Sequence, residues 1–179
     1  DRRRLNGGAA YQAGIVYGGY STTIANNTEE WNGASWTNAA NLNAGRDSIG
    51  GATQVYTASL AFGGQAPSIT NNTESYNGTS WTEVNEMNTA RYGLQGAGTN
   101  TAALAFGSAT NSPDSLTEFW NGSSWTEVAD LATGRGTLAK AGVNAQAALA
   151  AGGYTGTARS AATEEFSAAD FQIKTVTTS

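Results

Sequence analysis

The stretch Asn77–Val84 reads NGTSWTEV, and nearly the same string, NGSSWTEV, returns at Asn121–Val128. A looser copy, NGASWTNA, occupies Asn32–Ala39. A catalytic motif normally occurs once in each active site, whereas a string that returns at constant spacing is typical of a structural repeat. The sequence is therefore more informative about architecture than about a ligand.

Four kinds of marker follow this period. Three tryptophans lie 45 and 44 residues apart, a glycine ends each of four short apolar runs, a Thr-Glu pair follows each glycine, and an arginine closes each of the first three units. The positions are Gly18, Gly63, Gly107 and Gly152; Glu29, Glu74, Glu118 and Glu164; Trp36, Trp81 and Trp125; and Arg46, Arg91 and Arg135. Independent markers at one period predict four copies of one supersecondary unit.

Each unit shows the local signals of strands and tight turns. In SLAFGG the large side chains of Leu60 and Phe62 alternate with small ones, which is the period of a β-strand. A polar loop and a second short strand follow, and Asn77-Gly78 offers the positive φ angles that a tight hairpin requires. No segment has apolar residues at helical spacing. We therefore predict four short strands in each unit and almost no helix.

The composition excludes several classes of function. Charged residues make up 13% of the chain, and the pI is near 4.6. Its only basic cluster, Arg2–Arg4, is interpreted as a solvated terminus, so nucleic acid is not an expected partner. Cysteine and histidine are absent, which removes thiol nucleophiles and the commonest ligands of transition metals. No apolar run approaches the length of a membrane span, and no membrane insertion is expected.

The repeat resembles the kelch repeat. The residues that carry the resemblance are a glycine pair after an apolar strand, then Glu-x-aromatic, a turn, Trp and a trailing Arg, as in LAFGG…TESYNGTSWTEVNEMNTAR between Leu60 and Arg91. The resemblance covers essentially the whole chain and implies an all-β fold, a four-bladed kelch-like β-propeller. It also implies that the Gly- and Ala-rich strand of each blade is innermost and the Trp strand outermost.

The chain is thus predicted to be a single propeller domain, residues 1–179, with blades at approximately 2–45, 46–90, 91–134 and 135–179. The alternative is a part of a larger propeller that another segment or chain completes. The last unit departs from the kelch pattern, because Phe166 and Phe171 stand where Trp or Tyr is expected and the Asn-Gly turn is missing. A deviating terminal unit is typical of repeat proteins, which cap their ends.

The repeated residues allow a structural or a binding interpretation. The three tryptophans would pack between neighbouring blades or act as stacking platforms for sugars, and their periodicity favours packing. The four glutamates would bind a cation if they faced the axis. Because Ca²⁺ needs six to eight oxygens, we favour carboxylates that accept hydrogen bonds from the backbone or the repeated arginines. The loops after the glycine pairs, with Tyr20 and Tyr154 partly exposed, would serve recognition or simply connect strands. We predict no catalytic, cofactor-binding or metal-ligating residue.

The Asn-, Thr-, Ala- and Gly-rich form of the repeat is similar to kelch-like proteins of marine phage genomes. That resemblance implies a non-enzymatic structural or binding module, such as a virion structural, decoration or fibre protein. The alternative is a secreted or cell-surface adhesion module that binds glycans or protein through the propeller loops. Copper radical oxidases of the kelch-like type need His ligands and a Cys–Tyr crosslink, which this chain lacks. We expect a virion or extracellular location, with virion or surface proteins, a second copy or glycans as partners.

Overall fold

The computed structural model describes residues 2–110, 114–167 and 172–176. In these ranges the chain forms sixteen strands and no helix, so no described segment is a helix able to cross a membrane. The strands form four antiparallel sheets of four strands each, arranged in a ring as the blades of a four-bladed β-propeller. The predicted fold class is therefore confirmed.

Each blade takes four consecutive strands, and the order in the sheet follows the chain. Blade 1 contains β1 (Asn6–Ala10), β2 (Ala13–Tyr17), β3 (Thr28–Trp31) and β4 (Trp36–Ala39). Blade 2 contains β5 (Gly50–Val55), β6 (Ala58–Phe62), β7 (Thr73–Tyr76) and β8 (Trp81–Val84). Blade 3 contains β9 (Gln95–Gly98), β10 (Ala103–Phe106), β11 (Thr117–Trp120) and β12 (Trp125–Glu127). Blade 4 contains β13 (Ala139–Asn144), β14 (Ala147–Ala151), β15 (Thr163–Ser167) and β16 (Gln172–Val176).

The Asn-Gly pair turns the chain between the two outer strands of blades 1 to 3. In blade 2 the Oδ1 atom of Asn77 accepts the backbone N–H groups of Thr79 and Ser80, both at 2.9 Å. Gly78 has a φ of 89°, which side chains other than hydrogen rarely allow. The predicted turn is confirmed, although the glycine alone takes a positive φ and the asparagine instead caps the loop.

The first strand of each blade lies nearest the ring axis, where β5 contacts β1 and β9, and β9 contacts β13. In blades 2 and 3 the inner strand needs glycine where the preceding blade approaches it. A Cβ atom at Gly51 would overlap the Tyr17 hydroxyl of blade 1, and one at Gly96 would overlap the Phe62 ring of blade 2. The Gly- and Ala-rich strand is therefore innermost, as predicted. Its glycines leave room for the aromatic rings of the preceding blade.

Adjacent blades meet in interfaces that we call seams, numbered from the first (blades 1 and 2) to the fourth (blades 4 and 1). Buried apolar clusters fill three of them. The first contains Ile15, Tyr17, Leu42, Ile49, Ala61, Tyr76 and Trp81. The second contains Ala52, Leu60, Phe62, Met87, Leu94, Ala103, Ala105, Trp120 and Trp125. The third contains Ala97, Leu104, Phe106, Leu131, Leu138, Ala145, Ala148, Ala150 and Phe166. The described residues form no such cluster at the fourth seam.

In the outer hairpin of blade 4 the two strands are joined by five residue pairs, one more than in blade 2. Phe166 holds the position of Tyr76, and it pairs with Ile173 as Tyr76 pairs with Trp81. Phe171, which the sequence pattern places at the tryptophan position, lies outside the described residues. The strand register assigns that position to Ile173 instead, because the longer hairpin shifts the returning strand.

Candidate functional site

A buried arginine–glutamate pair recurs in blades 2, 3 and 4. The pairs are Arg46–Glu74 (2.8 Å), Arg91–Glu118 (2.8 Å) and Arg135–Glu164 (2.5 Å). The other carboxylate oxygen of each glutamate accepts a backbone N–H from the preceding connector, that of Asn43, Asn88 or Ala132. The structural interpretation of these glutamates is confirmed. They lie on the third strand of each blade, away from the axis, where they cannot form a ring of metal ligands.

Burial makes each ion pair depend on both of its members. It lowers the pKa of Arg46 and of Arg91 from the usual value, and the paired glutamate opposes this shift. The guanidinium group stays charged because its ordinary pKa is so high. Removing one partner would leave a buried charge uncompensated, which is strongly destabilising. The pairs therefore fix the orientation of the connector against the sheet.

Arg2, predicted to belong to a solvated terminus, is the arginine of blade 1. It stands 44 residues before Arg46, it donates to Glu29, and its side chain is only 13% exposed. That prediction is wrong. Each repeated arginine pairs with a glutamate of the blade that follows it, so the period places a fourth arginine before the first blade. Glu29 is 38% exposed, while the other three paired glutamates are at most 2% exposed.

Trp81 and Trp125 pack between blades, as the repeat predicts. The Trp81 ring lies 4.9 Å from that of Tyr17 at an interplanar angle of 69°, and Trp125 lies 5.1 Å from Phe62 at 70°. Such edge-to-face contacts suit the charge distribution of aromatic rings. Each indole N–H also donates to a threonine hydroxyl of the preceding blade, Thr28 for Trp81 at 3.0 Å and Thr73 for Trp125 at 3.1 Å.

Trp36 is the exception, and for this residue the predicted packing between blades is wrong. Its side chain is 50% exposed, against 5% for Trp81 and 6% for Trp125. Its ring contacts Trp31 of its own blade, 5.5 Å away, and its indole N–H has no acceptor among the described residues. The reason lies in blade 4, which has Ala151 where the other blades place Tyr17, Phe62 or Phe106.

The rest of the fourth seam is also open to water. On blade 1, Leu5 is 36% exposed, whereas its counterparts Ile49, Leu94 and Leu138 are at most 4% exposed. On blade 4, Leu149 and Thr163 are half-buried. Their counterparts in the other blades are fully buried: Ile15, Leu60 and Leu104, and Thr28, Thr73 and Thr117. We therefore define the candidate site by Leu5, Trp36, Leu149, Ala151 and Thr163.

Backbone hydrogen bonds near the axis are interrupted at the same seam. The Thr137 N–H donates to the Gly93 carbonyl at 2.9 Å, Gly93 to Ser48 at 2.8 Å, and Ser48 to Arg4 at 2.9 Å. All four residues have φ angles between 52° and 63°. A bond from the Arg4 amide to the Thr137 carbonyl would complete the circle, and it is missing in the part of the chain that the structure describes.

Lys140 stands where the inner strands of the other blades have Gly7, Gly51 and Gly96. Its Nζ atom donates to the Asn6 side chain at 3.2 Å and to the Gly51 carbonyl at 2.5 Å, so blade 4 contacts blades 1 and 2 across the axis. Burial lowers its pKa to about 8. None of the ion pairs between described residues includes this lysine.

A depression of about 200 Å³ opens near the axis, and all four blades line it. Its polar lining includes Arg4, Ser48, Gln95 and Thr137. Arg4 also approaches Asp47, at 3.9 Å, which partly compensates its charge. The depression therefore presents hydroxyl and amide groups together with a partly compensated cation.

Two further groups of aromatic side chains are at least partly exposed. At one end of blade 1, Tyr11 is 87% exposed and its carbonyl accepts the Trp31 indole N–H at 3.0 Å, so Tyr11, Trp31 and Trp36 form what we call the aromatic cluster of blade 1. In the loops after the glycine pairs, Tyr20 is half-buried beneath Arg3, and Tyr154 is exposed. The predicted partial exposure of these loop tyrosines is confirmed.

Metal ligands and known relatives add no further element to the site. Within residues 2–110, 114–167 and 172–176, no group of three or more His, Cys, Asp or Glu side chains is placed to hold a metal ion. No protein-family model matches the chain, and no curated protein matches its sequence.

Proposed function

We propose that this protein is a non-enzymatic structural and binding module of the kelch-repeat type, and that it serves as a virion structural, decoration or fibre protein. The observation that carries the proposal is the open fourth seam, where both Trp36 and Leu5 of blade 1 are exposed. Large apolar side chains left exposed on a folded protein are typical of a site for protein–protein interaction. The phage assignment is supported by the kelch-like motif and by the Asn-, Thr-, Ala- and Gly-rich composition.

The three closed seams support this role by their rigidity. A partner that binds a preformed surface loses little conformational entropy, which favours affinity. Here edge-to-face rings join blade 1 to blade 2 and blade 2 to blade 3, and a buried apolar cluster joins blade 3 to blade 4. The buried ion pairs fix the connectors against the sheets. A rigid ring with one unpacked seam fits a component that is set into a larger assembly.

Electron microscopy combined with mass measurement tests the proposal. We expect the protein to copurify with particles or filaments and to occupy a regular lattice position in them. Trp36→Ala should reduce its occupancy in the particle, whereas Tyr154→Ala, which removes an exposed aromatic side chain outside the candidate site, should not. A protein that stays monomeric and joins no assembly in its source material would contradict the structural role.

A second candidate function is adhesion to glycans at a cell surface. The aromatic cluster of blade 1 favours it, because exposed indole and phenol rings are suitable surfaces for stacking on sugars. A glycan array with the purified protein tests this function. A clear hit that disappears in Trp31→Ala and Trp36→Ala, and persists in Tyr154→Ala, would favour adhesion over the virion role.

A further inference from the structure

At the first two seams an aromatic ring fits between a glycine and a tryptophan of the next blade. The Tyr17 ring lies between Gly51, where a Cβ would overlap its hydroxyl, and Trp81. The Phe62 ring is held in the same way by Gly96 and Trp125. The first two seams therefore share three parts: a ring, a facing glycine and a facing indole.

Blade 4 departs from this arrangement on both of its faces. Toward blade 3 it receives the Phe106 ring, but Lys140 replaces the glycine and Ile173 replaces the tryptophan. Toward blade 1 it offers Ala151, which has no ring. At the fourth seam, therefore, the repeat position that should provide the ring holds an alanine.

Blade 1 retains the two parts that receive a ring. Gly7 pairs with Val16 as Gly51 pairs with Ala61, so it holds the same position in the sheet. Trp36 pairs with Trp31, the register of the other two tryptophans. The indole N–H of Trp36 has no acceptor among the described residues, and its ring is half exposed. Blade 1 therefore carries a receiving surface that no aromatic ring among the described residues of blade 4 fills.

We propose that the fourth seam binds a segment of a partner protein that inserts an aromatic side chain between Gly7 and Trp36. This inference rests on the proposed binding role and names the chemistry of the partner. The site continues the row of three established seams, and the inserted ring takes the place that Tyr17 and Phe62 take there. On blade 4, Leu149 and Ala151 hold the repeat positions of Leu60 and Phe62, and both are half-buried.

The missing ring argues against two other occupants of the fourth seam, namely blade 4 of the same chain and a second copy of the protein. If the chain closed its own fourth seam, Trp36 would face the methyl group of Ala151, and the space of an aromatic side chain would remain unfilled. A second copy that docked through its own blade 4 would bring the same alanine. Unfilled space beside a large apolar side chain is costly. A segment that carries phenylalanine or tyrosine fills it.

The experiment uses two blocked peptides as probes, N-acetyl-Thr-Phe-Thr-amide and N-acetyl-Thr-Ala-Thr-amide. Indole N–H resonances of the five tryptophans are observed by NMR in the purified full chain, and Trp36→Phe identifies the resonance of Trp36. We expect this resonance to exchange rapidly with water and to shift on addition of the Phe peptide. Burial of one aromatic side chain predicts binding roughly 10- to 100-fold tighter for the Phe peptide than for the Ala peptide.

Ala151→Phe is the matched variant, because it restores on blade 4 the aromatic side chain that the other blades have at this position. It should slow the exchange of the Trp36 N–H and abolish binding of the Phe peptide, whereas Ala158→Phe, in an exposed loop of blade 4, should leave both unchanged. If Ala151→Phe does not fold, Trp36→Ala provides the test. It should lose binding, observed through 4-fluorophenylalanine in the peptide.

Other outcomes overturn the inference. A Trp36 N–H that is protected from exchange in the free monomer would mean that the seam closes on itself, and protection in a dimer would identify a second copy as the occupant. A shift caused by N-acetylglucosamine but not by the Phe peptide would identify a glycan. Association with particles without binding of the Phe peptide would contradict this inference alone. Binding of the peptide without any assembly would contradict the proposed structural role.

Discussion

At the second seam the Trp125 indole lies 5.1 Å from the Phe62 ring and donates to Thr73, and only 6% of its side chain is exposed. At the fourth seam Trp36 holds the same position in its blade and is 50% exposed. The two tryptophans hold the same position in similar strings and the same strand register, so the difference lies in the neighbouring blade. A repeat residue is buried by its neighbour's side chains, and one substitution there, alanine for an aromatic residue, changes its role.

The most direct test of this comparison is to remove each of the two tryptophans in turn. Trp125→Ala should lower the free energy of unfolding by about 3–5 kcal/mol, because it opens a cavity in a packed seam. Trp36→Ala should cost less than about 1 kcal/mol, as is usual for exposed positions. Urea unfolding of the two variants measures the difference, and equal losses would show that the fourth seam is packed in solution.

The ion pairs offer a second contrast. Arg91→Met leaves Glu118 buried without a partner, and we expect it to cost about 3 kcal/mol or more. Arg2→Met removes a pair whose glutamate water already reaches, so it should cost about 1–2 kcal/mol, less than Arg91→Met. Guanidinium chloride would screen the partly exposed pair, so urea is the suitable denaturant. A large loss for Arg2→Met would place Glu29 in a closed seam.

Lys140 gives a pH-dependent test of the blade that differs from the others. Its pKa is lowered from 10.5 to about 8 by burial, so the unfolded chain holds the proton more tightly than the folded one. The charged lysine therefore destabilises the fold below pH 8, and this cost disappears as the pH rises from about 8 to about 10.5. Lys140→Met should stabilise the protein at pH 7 by more than at pH 10.

Denaturation of both proteins at several pH values checks this expectation. The hydrogen-bond partners of Lys140, the Asn6 side chain and the Gly51 carbonyl, are neutral. Titration of a carboxylate partner should therefore not alter the stability difference between the two proteins. A stability difference between Lys140→Met and the parent that does not change between pH 7 and pH 10 would contradict a buried, destabilised cation.

The smallest effect concerns the backbone near the axis. Thr137 has a φ of 52°, an unfavourable region for a β-branched residue, whereas blade 3 has Gly93 at the equivalent position. Thr137→Gly should stabilise the fold by about 0.5–1 kcal/mol, since the relief of strain exceeds the entropy cost of glycine. Gly93→Thr should destabilise, because its Cβ would also overlap Ala109. Thermal unfolding measures both, and a loss of stability in Thr137→Gly would contradict the strain.

Much of the architecture could be predicted from the sequence. The period gave four blades, the alternation in SLAFGG gave the buried face, and the Asn-Gly pair gave the outer hairpin. The repeated Arg and Glu residues gave a structural pairing, which the structure shows for Arg46–Glu74 and its equivalents. Arg2 was missed although the same period points to it, because the charge cluster around it was interpreted as a terminus.

The open seam could not be predicted in the same way. The sequence contains Ala151 at an aromatic position, but it does not show which residue would have touched that ring. Only the ring arrangement makes blade 4 the neighbour of blade 1, so that Ala151 belongs to the fourth seam as Tyr17 and Phe62 belong to the first and second.

The sequence by itself determined the unit: its strands, turns, buried face and ion pair are local patterns that every copy repeats. The tertiary structure decided which copies are sealed and which are not, since a seam is made of two faces that lie far apart in the chain. Burial depends on both faces at once, and for Leu5 and Trp36 the second face is more than 100 residues away in sequence. Local pattern therefore specifies the blade, and contacts between blades specify the surface that remains available for a partner.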